Sequence, residues 1–157
     1  MQSEKTTLGR YEYVWLIATD QRRITARIDT GAQTTAIWAS NIHEIDGELS
    51  WSFFGEGSEF FTGEIFHSQS FEKRVVMSST GHKQIRYKVP IILQIKKRRI
   101  KTSVNLSDRA HSVFPLLVGR NTLTGKFSVD VQSGSRKLSA AEKRQSKILQ
   151  SELKEKS

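Results

Sequence analysis

A carboxylate followed by a small hydroxyl residue and a glycine ends an apolar, strand-like run at Ile28-Asp29-Thr30-Gly31-Ala32. A strand holds a carboxylate rigidly, and Thr30 can form a hydrogen bond with backbone across a subunit boundary. Gly31 lets the chain turn sharply with no bulky side chain beside the acid. These residue types suit acid–base hydrolysis, so Asp29 is the candidate catalytic residue, with Thr30 and Gly31 as its support.

Hydrolysis of a peptide bond needs a base and an acid together, and two carboxylates that share one proton supply both. Two like charges about 3 Å apart cannot both ionise, so one pKa rises and the other falls. The chain contains a single Asp-Thr-Gly, and two-fold association is the commonest form of oligomer. We therefore predict a homodimer that brings the two copies of Asp29 together.

Two other carboxylates compete for the second role. An Asp29–Asp130 pair within one subunit is the alternative to a dimer, and it would give a monomeric enzyme. Asp130 lies near the end of a predicted strand, where a structural hydrogen bond is the simpler expectation. Asp108 lies in a polar turn and is expected to be solvated or paired with Arg109.

A second motif lies late in the chain, at Phe114-Pro115-Leu116-Leu117-Val118-Gly119-Arg120-Asn121-Thr122-Leu123. Its apolar half predicts a strand over 116–118. Its polar half predicts a short helical turn over 120–124, which Gly125 ends.

Short strands must hold both motifs in place. Period-two alternation predicts a half-buried strand over 23–29, and Gly55-Glu56-Gly57-Ser58 predicts a hairpin between strands 51–54 and 59–61. Further strands are predicted at 13–18, 73–78, 85–95, 99–106 and 127–131. Pro90 is expected at an edge or a bulge because it cannot donate to a ladder. The fold class is therefore all-β.

One domain is predicted over residues 1–132, followed by a polar tail over 133–157. In the tail, Ser139 and Glu142 have the spacing of a capping box, but the apolar stripe is thin. A weakly docked helix and partial disorder both remain open for this segment.

The order and types of the two motifs resemble those of retropepsins. Over about residues 8–132 the chain also resembles the bacterial family named for an ATP-dependent zinc protease, whose best-understood branch is RimB. Five segments carry this resemblance: Leu8-Gly9-Arg10, Ile28 to Ile37, Arg74-Val75-Val76-Met77-Ser78-Ser79-Thr80-Gly81-His82, Leu117 to Arg120, and Phe127-Ser128-Val129-Asp130. RimB is associated with RimK, an ATP-grasp ligase that adds glutamates to ribosomal protein S6, and RimB-like members trim such tails.

The resemblance implies a retropepsin-like β-barrel, an aspartic endopeptidase activity and an acidic, poly-glutamate type of substrate. Asp29 would be the catalytic acid/base, Thr30 its bracing hydroxyl and Gly31 the turn. A flap that covers the substrate would be formed by Ser78, Ser79, Thr80, Gly81, His82 and Lys83. The loop of Asp29 would be supported by Leu117, Val118, Gly119 and Arg120.

This sequence departs from the retropepsin pattern at two places. Many retropepsins carry an acid after Asp-Thr-Gly-Ala that pairs with the arginine of the late motif, but here that position is Gln33. Arg120 is therefore expected to need another partner. No clear flap tyrosine is present, and Tyr87 is a candidate only by its position in the sequence.

Charge indicates an anionic partner, since the formal net charge is +9. Eight cations and no acid lie in the segment that we call the basic ribbon: Lys83, Arg86, Lys88, Lys96, Lys97, Arg98, Arg99 and Lys101. Two roles would explain the charge of this ribbon: binding of an acidic peptide, or an exposed surface that keeps the protein soluble. A non-catalytic module that binds RNA, a ribosome or an acidic protein is the alternative function, although Tyr87 is the only aromatic residue of the ribbon, which makes nucleic acid the less favoured partner.

Several other classes of site are not predicted. The chain has no cysteine, which excludes thiolate nucleophiles, and its four histidines have no zinc-binding spacing. We predict no metal and no cofactor. No run approaches the roughly 18 apolar residues of a membrane span, so no membrane association is expected. A cytoplasmic location is the default expectation, with a removed leader left open.

Overall fold

The computed structural model describes residues 5–19 and 23–133. Within them the chain forms short strands and one helical turn. The strands are β1 Thr6–Leu8, β2 Tyr11–Leu16, β3 Arg23–Ile28, β4 Thr35–Ile45, β5 Glu48–Phe53, β6 Phe66–Ser68, β7 Glu72–Met77, β8 Lys83–Ile95, β9 Arg98–Ser107, β10 Leu116–Val118 and β11 Phe127–Val129, and the helix is α1 Arg120–Leu123.

Six of the strands close into a barrel, in the order β10-β3-β2-β8-β9-β4 and back to β10. The closing strand is β10, which runs parallel to β3 on one side and antiparallel to β4 on the other. Alternate residues point inward, as the buried Ile24, Ala26 and Ile28 of β3 illustrate. The all-β, barrel-type fold predicted from the sequence is confirmed.

Three extensions leave the barrel. β4 continues past a register shift between Ser40 and His43, where Asn41 has a positive φ of 52°, and its second half pairs with β5. Asparagine tolerates this backbone region better than most residues, and the bulge lets one strand serve two sheets. β6 pairs with β5, β7 pairs with β8, and β1 forms a separate parallel pair with β11.

Most predicted strands are present, with shifted ends. The predicted turn over 120–124 corresponds to α1, and Gly125 follows it with a φ of +79°. On the side of β8 away from β9, pairing with β7 stops at Lys88 and pairing with β2 starts at Leu93. Pro90 lies between these two points, where neither strand pairs with β8. Its expected edge position is therefore confirmed.

One predicted hairpin is wrong. Residues 59–61 form no strand, and β5 pairs with β4 and β6 instead. The aromatic residues that suggested a strand are used for packing, since the Phe60 ring lies 5.5 Å from the ring of Phe54. Beyond residue 133, the tail for which helix and disorder were both left open lies outside the described residues, and the boundary at residue 132 stays a prediction. No helix in the described ranges is long and apolar enough to cross a membrane.

Candidate active site

Asp29 lies just past the end of β3, partly buried, at the start of a tight loop. Its backbone N–H donates to the carbonyl of Val118 at 2.9 Å, which fixes the loop to β10. Its Oδ1 accepts a hydrogen bond of 2.9 Å from the backbone N–H of Gly31. Thr30 and Gly31 are exposed, so the loop that carries the carboxylate faces solvent on one side and is fixed to the barrel on the other.

Close packing of backbone against backbone supports this loop. A Cβ atom added to Gly119 would lie 2.7 Å from the backbone carbon of Thr34 and 3.0 Å from the carbonyl oxygen of Ala32. Only glycine fits such an approach. Val118 is fully buried beside it, and Leu117 pairs with both β3 and β4. The structure thus brings the early and late sequence motifs into direct contact.

The hydroxyl of Thr35 joins the two motifs. Thr35 is fully buried, and its Oγ1 lies 2.9 Å from Oδ1 of Asn121, 2.6 Å from Oγ1 of Thr122 and 3.0 Å from the backbone N of Gly119. A hydroxyl has one proton and two lone pairs. The Asn121 oxygen can only accept, so Thr35 donates to it and must accept from both other groups.

This assignment extends into a closed ring of hydrogen bonds. Since the Thr122 proton is used toward Thr35, the Thr102 hydroxyl must donate to Thr122, at 2.8 Å. Nδ2 of Asn121 donates to Thr102 at 3.3 Å and to the Ser103 carbonyl at 2.7 Å, which fixes the orientation of the amide. The ring ties β4, β9 and α1 together beneath the Asp29 loop, and such rings strengthen each member bond.

Arg120 finds its partner in the loop itself. Its Nη1 donates to the carbonyl oxygens of Thr30 and Gly31, at 3.1 and 3.0 Å. The backbone N–H groups of Arg120 and Asn121 donate in turn to Ala32 and Gln33. The expectation that Arg120 needs another partner is therefore confirmed: it brackets the backbone around the carboxylate.

Residues 7–139 match the family described as "Retropepsin-like aspartic endopeptidase RimB". The chain belongs to the RimB-like family. Curated relatives include a "Probable alpha-L-glutamate ligase" of Shewanella pealeana, 28% identical over 83% of this chain, and one of Desulfotalea psychrophila, 29% identical over 68% of it. The chain spans only 29% and 24% of the length of these two proteins.

A solved structure shares the fold of this RimB-like chain. It is Lpg0085 of Legionella pneumophila, described as a protein of unknown function, with a TM-score of 0.67 and 22% identity. The match covers 85% of this chain and 98% of that one. At this identity the likeness concerns the fold alone.

The predicted flap segment is the turn of the β7–β8 hairpin. The backbone N–H of Ser78 donates to the carbonyl of His82 at 2.8 Å, and that of Gly81 donates to the carbonyl of Ser78 at 3.0 Å. Gly81 has a φ of +85°, which the turn requires. Residues 78–83 are largely exposed. Within the described residues, no hydrogen bond or ion pair joins this turn to the Asp29 loop.

The base of the hairpin is anchored to β4 through Glu44. Oε2 of Glu44 accepts from Nζ of Lys73 at 3.0 Å and from Oη of Tyr87 at 2.9 Å. The hydrogen bond from Lys73, followed by that from Tyr87, lowers the pKa of Glu44, and Glu44 raises the pKa of Lys73. Tyr87 thus anchors the hairpin and does not lie at its tip.

Two arginines share the surroundings of Asp29, and sequence reasoning gave neither a role in the site. Burial lowers the pKa of Arg109, the charge of Arg27 lowers it further, and the charge of Asp29 raises it. Arg109 does not pair with Asp108, whose Oδ1 accepts from the backbone of Ala110. In the sequence, Arg27 was visible only as the polar residue two places before Asp29.

The other carboxylate considered from the sequence has a local role. Oδ1 of Asp130 accepts from the backbone of Gln132 at 2.9 Å, and the backbone N–H of Asp130 donates to Leu8. This agrees with the structural hydrogen bond expected for it. Among residues 5–19 and 23–133, no group of three or more histidine or acidic side chains is placed to hold a metal ion.

Proposed function

We propose that this RimB-like chain is an aspartic endopeptidase that cuts acidic polypeptides, with Asp29 from each of two copies forming the catalytic pair. The observation that carries the proposal is the Asp29 loop. It is fixed by β10, by Arg120 and by the hydroxyl ring, yet it presents its carboxylate at an exposed end. A site so rigidly built around one acid is what half of a shared catalytic pair requires.

The chemistry follows from the two protonation states of such a pair. The ionised Asp29 accepts a proton from a water molecule as the water oxygen bonds to the scissile carbonyl carbon. The protonated Asp29 of the other copy gives its proton to the carbonyl oxygen. Collapse of the resulting diol breaks the C–N bond: the leaving nitrogen takes the proton held by the pair, and one diol hydroxyl gives its proton back to the pair as the new carboxyl group forms.

The hairpin is the element best suited to cover a bound peptide. Val75 and Ile85 lie opposite each other in the β7–β8 register, and Met77 follows two residues later on the same face. All three side chains are more than half exposed. An apolar face of this kind on a projecting hairpin gains stability when a substrate or a second copy covers it.

Charge and relatives support an acidic substrate. The basic ribbon attracts anionic chains at long range. Both curated relatives carry a segment similar to this chain inside a protein named for ligating L-glutamate. A peptidase for glutamate tails would act on the product of that kind of chemistry.

The test is cleavage of a glutamate-tailed peptide by wild-type protein and by Asp29→Asn, each with and without a chelator. Asparagine keeps the Oδ1 that accepts from Gly31, so the loop should stay folded while the base is lost. We expect chelator-resistant cleavage by the wild type and none by the variant. Undiminished cleavage by Asp29→Asn would overturn the proposal, as would a strictly monomeric protein that still cleaves the peptide.

A further inference from the structure

Three arginines surround a stacked aromatic pair on the outer surface of the barrel. The rings of Tyr11 and Phe114 are buried, with their centroids 5.1 Å apart. Arg10 donates from Nη2 to the Tyr11 hydroxyl at 2.7 Å, and Arg109 donates from Nε to the Phe114 carbonyl at 3.0 Å. Arg27 lies directly opposite Tyr11 in the β2–β3 register. The aromatic pair therefore places these guanidinium groups in one neighbourhood.

This neighbourhood includes the catalytic carboxylate. Arg27 is the next-to-last residue of β3 and precedes Asp29 by two positions. Arg109 lies close enough to both for their charges to act on its guanidinium. Within the described residues, none of the three arginines forms an ion pair with a carboxylate.

Such an arrangement is unfavourable in the free protein. Arg109 is partly buried, and a guanidinium loses hydration there and is repelled by Arg27. The acid whose charge acts on Arg109 is Asp29, the group that the proposed catalysis uses. Like charges that form no ion pair do little to stabilise a fold, but they are well placed to bind an anion. Arginine presents a planar fork that matches a carboxylate with two hydrogen bonds.

We propose that Arg27 and Arg109 bind the side-chain carboxylate of a substrate glutamate next to the scissile peptide bond. The inference rests on the proposed function and names the residues that give it its preference for acidic peptides. A glutamate bound there neutralises the repulsion between the two arginines, whereas glutamine leaves it in place. The preference is therefore for the charge of the side chain, since the two side chains have nearly the same shape.

The experiment measures binding separately from cleavage. Asp29→Asn protein is titrated with a short glutamate peptide and with the same peptide carrying glutamine, and Arg27→Gln and Arg109→Gln are then added singly. Arg23→Gln is the matched control, because Arg23 lies outside the basic ribbon. It is exposed, its guanidinium packs on the Tyr13 ring, and it begins β3 four residues before Arg27, roughly 13 Å away at about 3.3 Å per residue.

We expect each site variant to bind the glutamate peptide about 10-fold more weakly or worse, as loss of a charge-assisted hydrogen bond predicts. Binding of the glutamine peptide should change by less than about 2-fold, as should every measurement on the control. Arg109→Lys, which keeps the charge and loses the fork and the Nε bond, should fall between. Its unfolding midpoint shows whether the Phe114 contact is needed for folding.

Two results would overturn the inference: site variants that bind the glutamate peptide as tightly as the control, or that lose both peptides equally. Failure of the proposed function has a different signature. If the wild type cleaves nothing while binding still depends on Arg27 and Arg109, the anion site stands and the peptidase does not. If cleavage occurs without that dependence, the peptidase stands and this assignment of specificity falls.

Discussion

Replacing Thr35 by valine should destabilise the protein far more than its conservative size suggests. Valine has nearly the same shape as threonine, but it cannot accept the hydrogen bonds from Gly119 and Thr122 or donate to Asn121. Both donors are buried. A buried donor left without a partner costs about 1–3 kcal/mol, so the two together cost about 2–6 kcal/mol.

Thr35→Ser is the control, because it keeps the hydroxyl and loses one methyl group. Removal of a buried methyl costs about 1 kcal/mol. Equilibrium unfolding in urea, followed by tryptophan fluorescence at one protein concentration, measures both variants. An unchanged slope with denaturant shows that the comparison concerns stability.

The order of stability should therefore be wild type, then Thr35→Ser, then Thr35→Val. A valine variant within about 0.5 kcal/mol of the serine variant would refute the ring, since that difference is the size of an ordinary surface substitution. The same two proteins test the link to function. Because the ring lies beneath the Asp29 loop, the valine variant should also lose peptide cleavage under conditions where it is still folded.

Arg120→Met should lower the rate of cleavage by about 10-fold or more, because misplacement of a catalytic loop is costly to rate, but it should cost little stability because the arginine is exposed. Arg120→Lys can still donate to the Thr30 carbonyl and should retain more activity. Equal loss of activity in both variants would contradict the role of Arg120 in holding the loop. Glu44 predicts a pH effect on the β7–β8 hairpin. The pKa of Glu44 in the folded protein is lowered from 4.5. Its stabilisation of the hairpin is therefore complete above the pKa of the unfolded state and is lost as the pH falls through the pKa of the folded state. Amide exchange in the hairpin should therefore be faster in Glu44→Gln than in the wild type at neutral pH, and the difference should shrink as the pH falls below the ordinary range of a glutamate. A constant difference would contradict this.

The segments that form the Asp29 loop could be predicted from the sequence because each of them is local. The loop and its support consist of two short segments, Ile28 to Ala32 and Leu117 to Arg120. Their residue types indicate the backbone conformation and the close packing that each position requires, most clearly at Gly119. What joins them is not local. Thr35 and Asn121 are 86 residues apart, and a threonine beside other threonines gives no sign that its hydroxyl will be fully used in a buried ring.

The errors have equally specific causes. β4 was not predicted because its buried positions, Thr35, Ile37 and Ala39, differ little in polarity from their neighbours, so no alternation stands out. The false strand at 59–61 came from aromatic residues that pack as a loop. Arg109 was missed because only tertiary structure, through Phe114 and Tyr11, places it beside the strand that carries Arg27.

The site combines two groups of residues with opposite effects on stability. The hydroxyl ring and the Arg120 bracket use hydrogen bonds that also hold the barrel closed at β10, so loosening them should cost stability and activity together. Arg27 and Arg109 repel each other, and Arg27 forms no ion pair within the described residues, so removing the exposed Arg27 should leave the protein at least as stable as the wild type while it loses affinity for glutamate. Stability exchanged for function in this way is typical of binding residues. If Arg27→Gln instead destabilised the protein, the arginine would be serving the fold, and the argument that it waits for a substrate carboxylate would lose its physical basis.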